Sequence, residues 1–407
     1  AMKKIRLLLL MTALLSIGGG WYVHPEKDID ETLYLREIAP DVTFSPKQGI
    51  PLHYSSDRGI IAFNTYDVTP SIRGYAGPIK LLIALRNDGT ITGIRILDHR
   101  ETKNYVHYME SSGYLSGLLG KNVSDPFEVD GDIDGISRAT VSVEALAKTV
   151  RESSRIAADQ AFGIKTTLAG TERRQSLGWV WYSLLFSFVL LSYSMSRRAK
   201  RFLRARDISL VGAIAIIGLS LSSPFSILHV FNLMLLRPSS SLLWYVIVVS
   251  TIASVIIAGR LYCGWLCPFG AISEFIGRLP LKKWNISVEQ DDRWRGCKYV
   301  LLAAVLALVF LSGKIDYGNF ETYVTLFSFH GTAIAWVLVA VMLLANLVVE
   351  RFWCRYLCPV AAFTGVLSRK AQGYPSRNDC PMGNKPNPLI SECVRCNRCY
   401  AGEKNGK

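Results

Sequence analysis

The chain has 407 residues, half of them hydrophobic, and a formal net charge of +14 at pH 7, so it is long enough for two or three domains and too apolar for a purely soluble protein. The basic residues cluster beside apolar runs, as at 197–206, which indicates a membrane protein and argues against a nucleic-acid partner. All nine cysteines lie at or after Cys263 in short regular spacings, which disfavours a secreted disulfide scaffold and favours ligation or thiol chemistry in a reducing compartment.

The first predicted element is an apolar run at 5–17, preceded by Lys3 and Lys4 and followed by three glycines. This is the form of a signal peptide or a short signal anchor. A full membrane crossing needs about 20 apolar residues, so the run is marginal for spanning. We interpret residues 1–20 as a signal anchor or first transmembrane helix, with a cleaved signal peptide as the alternative.

Residues 21–175 are predicted to form an α+β domain. Two β-rich runs, 79–85 and 90–97, flank an Asp88-Gly89 turn, which predicts a hairpin. From 141 to 162 the apolar residues change to helical spacing. The predicted stripe of that helix consists of Val143, Leu146, Val150, Ala157 and Ala161.

Residues 176–370 are predicted to form an all-α transmembrane bundle, which has about six helices if the first segment is included. Its apolar segments are 178–195, 208–227, 242–259, 298–312 and 333–349. The loops at 197–206 and 278–298 are strongly basic, whereas those at 228–241 and 313–332 carry one basic residue each. The positive-inside rule therefore predicts that the basic loops and the C-terminus are cytoplasmic and that the 21–175 domain lies outside.

One motif occurs twice. The sequence from Arg260 to Pro268 contains Cys263-x-x-x-Cys267-Pro, and the sequence from Arg351 to Pro359 contains Cys354-x-x-x-Cys358-Pro. Each copy follows an apolar segment that ends on the predicted cytoplasmic side, so the two form a parallel internal repeat.

The repeat predicts that four thiols meet at the cytoplasmic edge of the bundle. A spacing of four residues places two sulfurs on one face of a helix, and the following proline bends or ends that helix. Buried cysteines as small apolar fillers are the less favoured reading. The spacing does not distinguish a metal ion, a cluster and a redox dithiol. Cys297 stands alone beside a membrane edge and is interpreted as a packing residue.

Residues 371–407 are predicted to form a small ferredoxin-like tail with one 4Fe-4S cluster. The run Cys393-x-x-Cys396-x-x-Cys399 supplies three thiolates, and Cys380 is the fourth candidate because Glu403 stands where a fourth cysteine would follow. A structural zinc site with four thiolates is the alternative, although successive three-residue steps fit a cubane better.

The outer domain contains the stretch Asp134-Gly-Ile-Ser137-Arg138-Ala139-Thr140, immediately before the predicted helix. The start of a helix offers free N–H groups and a favourable dipole to a phosphate. Serine and threonine also begin many helices as simple caps, so this signal is weak by itself.

The same stretch resembles the Asp-Gly-x-Ser/Thr-Gly-Ala-Thr motif of FMN-binding domains whose last threonine carries FMN through a phosphodiester, with Arg138 in place of the usual glycine. Two further segments resemble that family, one containing Gly74 and Gly77 and one containing His99, Glu101 and Thr102. The resemblance implies covalent FMN at Thr140, with Asp134 serving the attaching transferase. It also implies that His99 and Glu101 contact the flavin, although a role at the hairpin edge is equally compatible.

With its repeated Cys-x-x-x-Cys-Pro motifs and cysteine-rich tail, the whole chain is similar to the NosR/NirI family of polytopic flavin and iron–sulfur proteins. Longer members carry two ferredoxin clusters, whereas this chain has ligands for one. The resemblance implies a multi-pass protein of the bacterial cytoplasmic membrane, surrounded by lipid, with the FMN domain outside and the iron–sulfur tail in the cytoplasm.

The resemblance further implies electron transfer rather than an enzyme with its own small substrate. Quinol or cytoplasmic ferredoxin would be the donor, and the outer FMN would serve an exported respiratory reductase, such as nitrous-oxide reductase in denitrification and anaerobic respiration, or its maturation proteins. A flavin transferase would attach the FMN. The alternative function is a redox-sensing regulator or assembly factor without sustained turnover. Metal transport ranks last because the apolar segments carry almost no charged residues.

Two histidines, His229 and His330, lie near the predicted outer ends of membrane segments. They could be haem ligands or part of a quinone site, but interfacial histidines are common and their offset does not match the repeat, so a structural role is favoured.

Overall fold

The computed structural model describes part of the chain. The described residues are 11–12, 15, 29–70, 72, 79–99, 109–110, 113–129, 131–134, 140–166, 177–196, 203–234, 239, 241–312, 321–368, 380, 382 and 392–398. The chain divides into two compact units. The sheet unit comprises 26–175 with 232–241, and the helical unit comprises 1–25, 176–231 and 242–407. Apart from residues 11, 12 and 15, the predicted first apolar segment lies outside the described residues.

The sheet unit contains one four-stranded antiparallel sheet in the order β1-β2-β3-β4. The strands are β1 His53–Ser55, β2 Ile60–Asn64, β3 Ile79–Arg86 and β4 Ile91–His99. Its helical elements are Thr32–Ile38, Thr65–Val68, the 3₁₀ turn Leu115–Leu118 and the long helix Thr140–Phe162. The unit is therefore α+β, as predicted.

The β3–β4 hairpin follows from its turn residues. Gly89 has φ +84°, a left-handed conformation that glycine adopts without the steric cost of a Cβ atom. The Gly89 amide donates to the Arg86 carbonyl, and the Arg86 amide donates to the Thr90 carbonyl, both at 2.9 Å. The predicted hairpin is confirmed.

The core of the sheet unit lies between one face of the sheet and the helix Thr140–Phe162. The predicted stripe is confirmed, because Val143, Leu146, Val150 and Ala157 are buried and Ala161 packs against the same cluster. On the opposite face, Leu35 of the first helix packs against Leu82. Both faces of the sheet are therefore covered.

The remaining helices form most of the helical unit. In chain order they are Gly178–Ser196, Leu203–Gly212 (continued as a π-helix over Ala213–Ser220), Ile227–Met234, Leu242–Ala258, Leu261–Trp265, Pro268–Gly277, Val288–Arg295, Cys297–Ser312, Thr322–Ser328, Ala333–Val348, Phe352–Tyr356 and Pro359–Leu367. All five predicted apolar segments contain helix. The segment predicted at 208–227 breaks after Ser220, where Ser222 has φ +45° and Pro224 disfavours helix in the residue before it.

By length and apolar composition, two helices among the described residues could cross a membrane, Gly178–Ser196 and Glu289–Ser312. A third candidate is the pair Thr322–Ser328 and Ala333–Val348, whose axes differ by 106°. The helix Leu242–Ala258 is apolar but shorter. The protein therefore has two or three candidate spans in its described part, and the count of six stays a prediction.

Candidate functional site: a repeated cysteine motif with a docked tail

The two Cys-x-x-x-Cys-Pro motifs fold alike. In each, the first cysteine lies in a short helix, Leu261–Trp265 or Phe352–Tyr356. The second cysteine lies beyond that helix with extended φ and ψ angles, −72° and 114° for Cys267 and −67° and 118° for Cys358. The prediction that both thiols share one helix face is therefore wrong. Each pair of thiols spans the junction between two helices.

Proline explains this junction. Pro268 and Pro359 occupy the first position of the next helix, where a missing N–H costs nothing and the fixed φ suits the helix. The cysteine before each proline then becomes the helix cap. The sulfur of Cys267 accepts a hydrogen bond from the Gly270 amide, and that of Cys358 accepts one from the Ala361 amide, both at 3.4 Å.

The four thiols of the repeat are neighbours. Burial raises the pKa of the Cys267 thiol, and the nearby thiols of Cys354 and Cys263 raise it further. Burial also raises the pKa of Cys358, followed by the effect of Cys354. The sulfur of Cys263 lies 3.7 Å from the Thr364 hydroxyl in the other half of the repeat. The two motifs therefore lie near each other, and a single site shared by all four thiols stays a prediction.

The distances between these sulfurs distinguish a single metal ion from an iron–sulfur cluster. A single tetrahedral zinc ion requires sulfurs about 3.8 Å apart, since each Zn–S bond is about 2.3 Å. Among the described residues, no group of three or more cysteine, histidine, aspartate or glutamate side chains has the arrangement of a single-ion site. A cubane cluster accepts more widely separated sulfurs because each one binds a different iron atom.

Two fully buried arginines accompany the thiols. Arg260 and Arg351 occupy equivalent positions, three residues before the first cysteine of each motif, and both are 0% exposed. Arg351 donates to the Cys263 carbonyl at 2.9 Å, so it joins one half of the repeat to the other. A buried guanidinium charge needs nearby negative charge, and a set of thiolates would supply it. The sequence analysis missed these arginines, although their matching position in the repeat was visible.

Glu274 pairs with several arginines from different parts of the chain. Its carboxylate accepts from Arg206 at 2.7 and 2.6 Å and from Arg351 at 2.6 Å. Arg278 and Arg398 also donate to it, each at 2.8 Å. Burial raises the pKa of Glu274, but Arg351 and Arg206 outweigh burial and hold that pKa well below its usual range. The carboxylate therefore stays charged.

A second buried carboxylate, Glu392, belongs to the tail. It accepts from Arg260 at 2.8 Å and from the Tyr299 hydroxyl at 2.6 Å, and it pairs with Lys298. Burial raises the pKa of Glu392, but Lys298 and Arg260 lower it more, to about 2. The tail is thus held against the first motif by buried ion pairs.

The backbone of the tail lies directly on the first motif. A Cβ atom on Gly264 would overlap the carbonyl oxygen of Val394, so only glycine allows this approach. The indole N–H of Trp265 donates to the Arg395 carbonyl at 2.9 Å. Asn397 donates to the Ser196 hydroxyl at 2.7 Å, which ties the tail to a candidate span. Cys393 and Cys396 therefore lie beside the repeat.

The tail segment has the backbone features of a loop that holds a cluster through its cysteine thiolates. Arg395 and Asn397, on either side of Cys396, have φ values of 56° and 60°, and left-handed residues in such loops turn backbone N–H groups towards an anion. The Arg395 amide donates to the Cys393 sulfur, and the Met382 amide donates to the Cys380 sulfur, both at 3.4 Å. Cys399 lies outside the described residues, so the four-cysteine set stays a prediction.

The described part of the predicted flavin site is small. The helix begins at Thr140, as predicted. Asp134 is exposed, and His99 ends β4, where it pairs with Ile79. Beside Asp134 lies Tyr114, which is 7% exposed and whose hydroxyl has no hydrogen-bond partner among the described residues. The other predicted flavin residues, Gly74, Gly77, Glu101, Thr102, Ser137 and Ala139, lie outside the described residues.

The remaining sequence candidates lie elsewhere in the helical unit. The ring of His229 stacks between Phe225 and Trp244, with centroid separations of 5.4 and 5.7 Å, and the Ser226 amide donates to it. These contacts are those of a packed side chain. Cys297 is exposed on its helix, so its interpretation as a packing residue is wrong.

Comparison with protein families gives two matches. The profile described as an FMN-binding domain matches residues 74–154, which include β3, β4 and the start of the long helix. The profile described as a 4Fe-4S binding domain matches twice, at 240–287 and 329–375. Each of the latter matches contains one Cys-x-x-x-Cys-Pro motif, so the iron–sulfur profile covers the repeat cysteines and not the tail cysteines.

Characterised sequences agree with these matches. Protein NirI of Paracoccus denitrificans is 29% identical over 260 residues, which cover 53% of this chain and 37% of NirI. Regulatory protein NosR of Stutzerimonas stutzeri is 27% identical over 203 residues, 42% of this chain and 27% of NosR. The chain is a homologue of NosR and NirI, with the flavin and iron–sulfur domains of that family.

A further relative of this chain is the putative electron transport protein YccM of Escherichia coli, which is 31% identical over 168 residues, or 38% of this chain and 43% of YccM. The alignments thus span well under two thirds of the length of each of these three relatives. No solved structure matches the chain.

Proposed function

We propose that this protein transfers electrons across the bacterial cytoplasmic membrane, between iron–sulfur centres in its helical unit and FMN in its sheet unit. The observation that carries the proposal is the meeting of the four repeat thiols with Cys393 and Cys396 of the docked tail. An FMN-binding domain in the same chain supplies the second redox group. The printed name of YccM, a putative electron transport protein, agrees with this role.

The residues of the repeat fit an iron–sulfur cluster. We propose that Cys263, Cys267, Cys354 and Cys358 hold one, because three buried thiols, the half-buried Cys267, two amide donors and two buried cations meet there. Ser273 adds a polar group, since its buried hydroxyl has no partner among the described residues and it occupies the repeat position of Thr364. Such a cluster supplies one-electron chemistry, and the protein supplies its ligands, its charge balance and its exclusion of water.

We propose a second cluster in the tail, held by Cys380, Cys393, Cys396 and Cys399. The amide donors to Cys380 and Cys393 support it. The alternative of a structural zinc site predicts stoichiometric zinc and no labile iron in the purified protein. Metal analysis of wild-type protein and of Cys396→Ser therefore separates the two.

For the flavin, we propose covalent FMN attached to Thr140 at the start of its helix, near Asp134, Ser137 and Ala139. The link needs a hydroxyl oxygen, and the helix N-terminus favours the phosphate. Gly74, Gly77, His99, Glu101 and Thr102 are the further proposed flavin contacts.

The proposed orientation places the FMN domain outside and the tail in the cytoplasm. Quinol or cytoplasmic ferredoxin would then donate electrons, and the FMN would serve an exported respiratory reductase or its maturation proteins. A redox-sensing regulatory or assembly role without sustained turnover is the second candidate, and the printed name of NosR, a regulatory protein, favours it.

The decisive experiment uses full-length protein made in a host with a flavin transferase and purified without oxygen into liposomes. A quinol or reduced ferredoxin is added, and flavin absorbance is followed. We expect repeated flavin reduction and reoxidation in wild type. Cys358→Ser should lose reduction by these donors but keep direct reduction by dithionite, because its flavin is intact. Thr140→Val should lose the flavin fluorescence that wild type keeps on a denaturing gel.

Each outcome has a defined meaning. Flavin reduction by either donor at the wild-type rate in Cys358→Ser would remove the repeat from the electron path. Reduction that stops after one turnover in wild type, even with an electron acceptor present, would favour the sensor. A gel-stable flavin in Thr140→Val would place the attachment at another residue.

A further inference from the structure

Arg260 and Arg351 carry hydrogen-bond donors that meet no nitrogen or oxygen acceptor among the described residues. The side chains of both are fully buried. Among the described residues, Nε and Nη2 of Arg260 and Nε of Arg351 have no hydrogen-bond partner. An unsatisfied buried donor of a charged group is costly, so such groups call for a ligand. The two arginines occupy equivalent places in the repeat.

Each arginine interacts electrostatically with cysteines of the repeat and with cysteines of the tail. Arg351 interacts with Cys267 and Cys354 of the repeat and with Cys396 of the tail. Arg260 interacts with Cys263 of the repeat and with Cys393 of the tail. Hydrogen bonds give the geometry of this arrangement. Arg351 donates to the Cys263 carbonyl at 2.9 Å, and Arg260 donates at 3.2 Å to the carbonyl of Glu392, the residue before Cys393.

We propose that Arg260 and Arg351 are positioning residues shared by two adjacent cluster sites, whose unused donors and positive charges raise the reduction potentials of both. The proposal rests on the proposed function, since it requires both clusters. In this proposal the two arginines adjust the cluster potentials and do not bind iron.

The direction of the effect follows from charge. One-electron reduction by an added reductant adds one negative charge to a cluster and leaves its thiolate ligands in place. A buried cation stabilises that extra charge strongly because water does not screen it there. Net charge and hydrogen bonds to sulfur are among the main determinants of cluster potential. Loss of either arginine should therefore lower the potential of both clusters.

The surrounding ion pairs make the test feasible. Without Arg351, the Glu274 carboxylate keeps Arg206, Arg278 and Arg398. Without Arg260, the Glu392 carboxylate keeps Lys298 and Tyr299. Neither substitution leaves an unpaired buried carboxylate, so both variants should fold.

The experiment compares Arg351→Gln and Arg260→Gln with two controls in the full, anaerobically purified chain. Arg351→Lys keeps the charge. Arg278→Gln removes another partner of Glu274 that is 30% exposed. Iron and sulfide are measured in each variant, and the clusters are then titrated with dithionite while their electron paramagnetic resonance signals are recorded against potential.

We expect both glutamine variants to hold wild-type iron while the midpoint potentials of both signals fall, and both controls to stay near wild type. Unchanged potentials in an iron-loaded Arg351→Gln would overturn this inference and leave the proposed function standing. A shift of one signal only would also overturn it, because the arginines would not be shared. Iron lost from both Arg351→Gln and Arg351→Lys would assign a merely structural role. Wild-type protein without iron would overturn the proposed function itself.

Discussion

At the scale of single residues, Glu392 stands out because it neutralises two buried cations from distant parts of the chain. Arg260 and Lys298 both pair with its carboxylate, and all three side chains are at most 6% exposed. Removing the carboxylate from this group leaves two uncompensated buried cations, which costs about 3–5 kcal/mol. The tail is therefore attached by electrostatics as much as by packing.

Glu392→Gln should strongly lower the stability of the helical unit, by about 3–5 kcal/mol, because Arg260 and Lys298 lose their counter-charge. The matched control is Glu289→Gln, which breaks an ion pair with Arg293 between side chains that are 88% and 79% exposed. That pair is worth about 0–1 kcal/mol. Tryptophan fluorescence during denaturant unfolding in detergent measures both, and equal effects would contradict the buried role of Glu392.

The pH dependence follows from the lowered pKa of Glu392. Its contribution is complete above the ordinary value of 4.5 and is lost as pH falls towards about 2. The additional acid sensitivity of wild type over Glu392→Gln should therefore fall within that window.

The sequence predicted the thiols but not their counter-charges, for a physical reason. Cysteine spacing and the repeat are local patterns, and both survive in the structure. The partner of Arg260 lies 132 residues away, at Glu392. No periodicity within one element records such a pairing, because only the fold brings the two together.

At the scale of elements, sequence patterns predicted a helix or hairpin correctly where that element forms its own backbone hydrogen bonds. The Asp-Gly turn and the apolar stripe of the long helix gave the hairpin and the helix correctly. The spacing of four residues in Cys-x-x-x-Cys gave the wrong geometry. Proline initiated the next helix at its first position, and the cysteine before it became a cap.

The packing of the tail on the helix Leu261–Trp265 gives a prediction for Gly264→Ala. The added methyl group would overlap the Val394 carbonyl, so the tail must move away. Overpacking of this kind costs about 1–3 kcal/mol. Hydrogen exchange read by mass spectrometry should show faster exchange in 392–398 and no change in the sheet unit.

Gly117→Ala is the matched control, because a Cβ atom at that glycine would meet nothing within 4 Å. It should leave exchange in the tail at the wild-type rate. Unchanged tail exchange in Gly264→Ala would mean that the close backbone contact does not hold the tail in solution.

At the scale of the whole molecule, the apolar segments were predicted correctly as helices, while the number that cross a membrane stays a prediction. The described helices include two or three candidates of sufficient length. Hydropathy reports apolar composition, whereas a membrane crossing also needs an unbroken helix of sufficient length. The break at 221–226 and the bend before Ala333 interrupt two of the apolar segments.

The proposed orientation predicts opposite results for two reporter fusions. A reporter fused after residue 150 should be active outside the cytoplasm, and one fused at residue 405 should be active inside, because the basic loops stay on the cytoplasmic side. Alkaline phosphatase and a fluorescent protein that folds only in the cytoplasm are suitable reporters. The same side for both fusions would contradict the transmembrane electron path.

The docking of residues 392–398 onto Arg260 also sets an order of events during synthesis. The ribosome makes Arg260 132 residues before Glu392, so this arginine lacks its carboxylate partner until the tail is translated. On the proposed function, we therefore expect iron–sulfur loading of the repeat to follow translation of the tail.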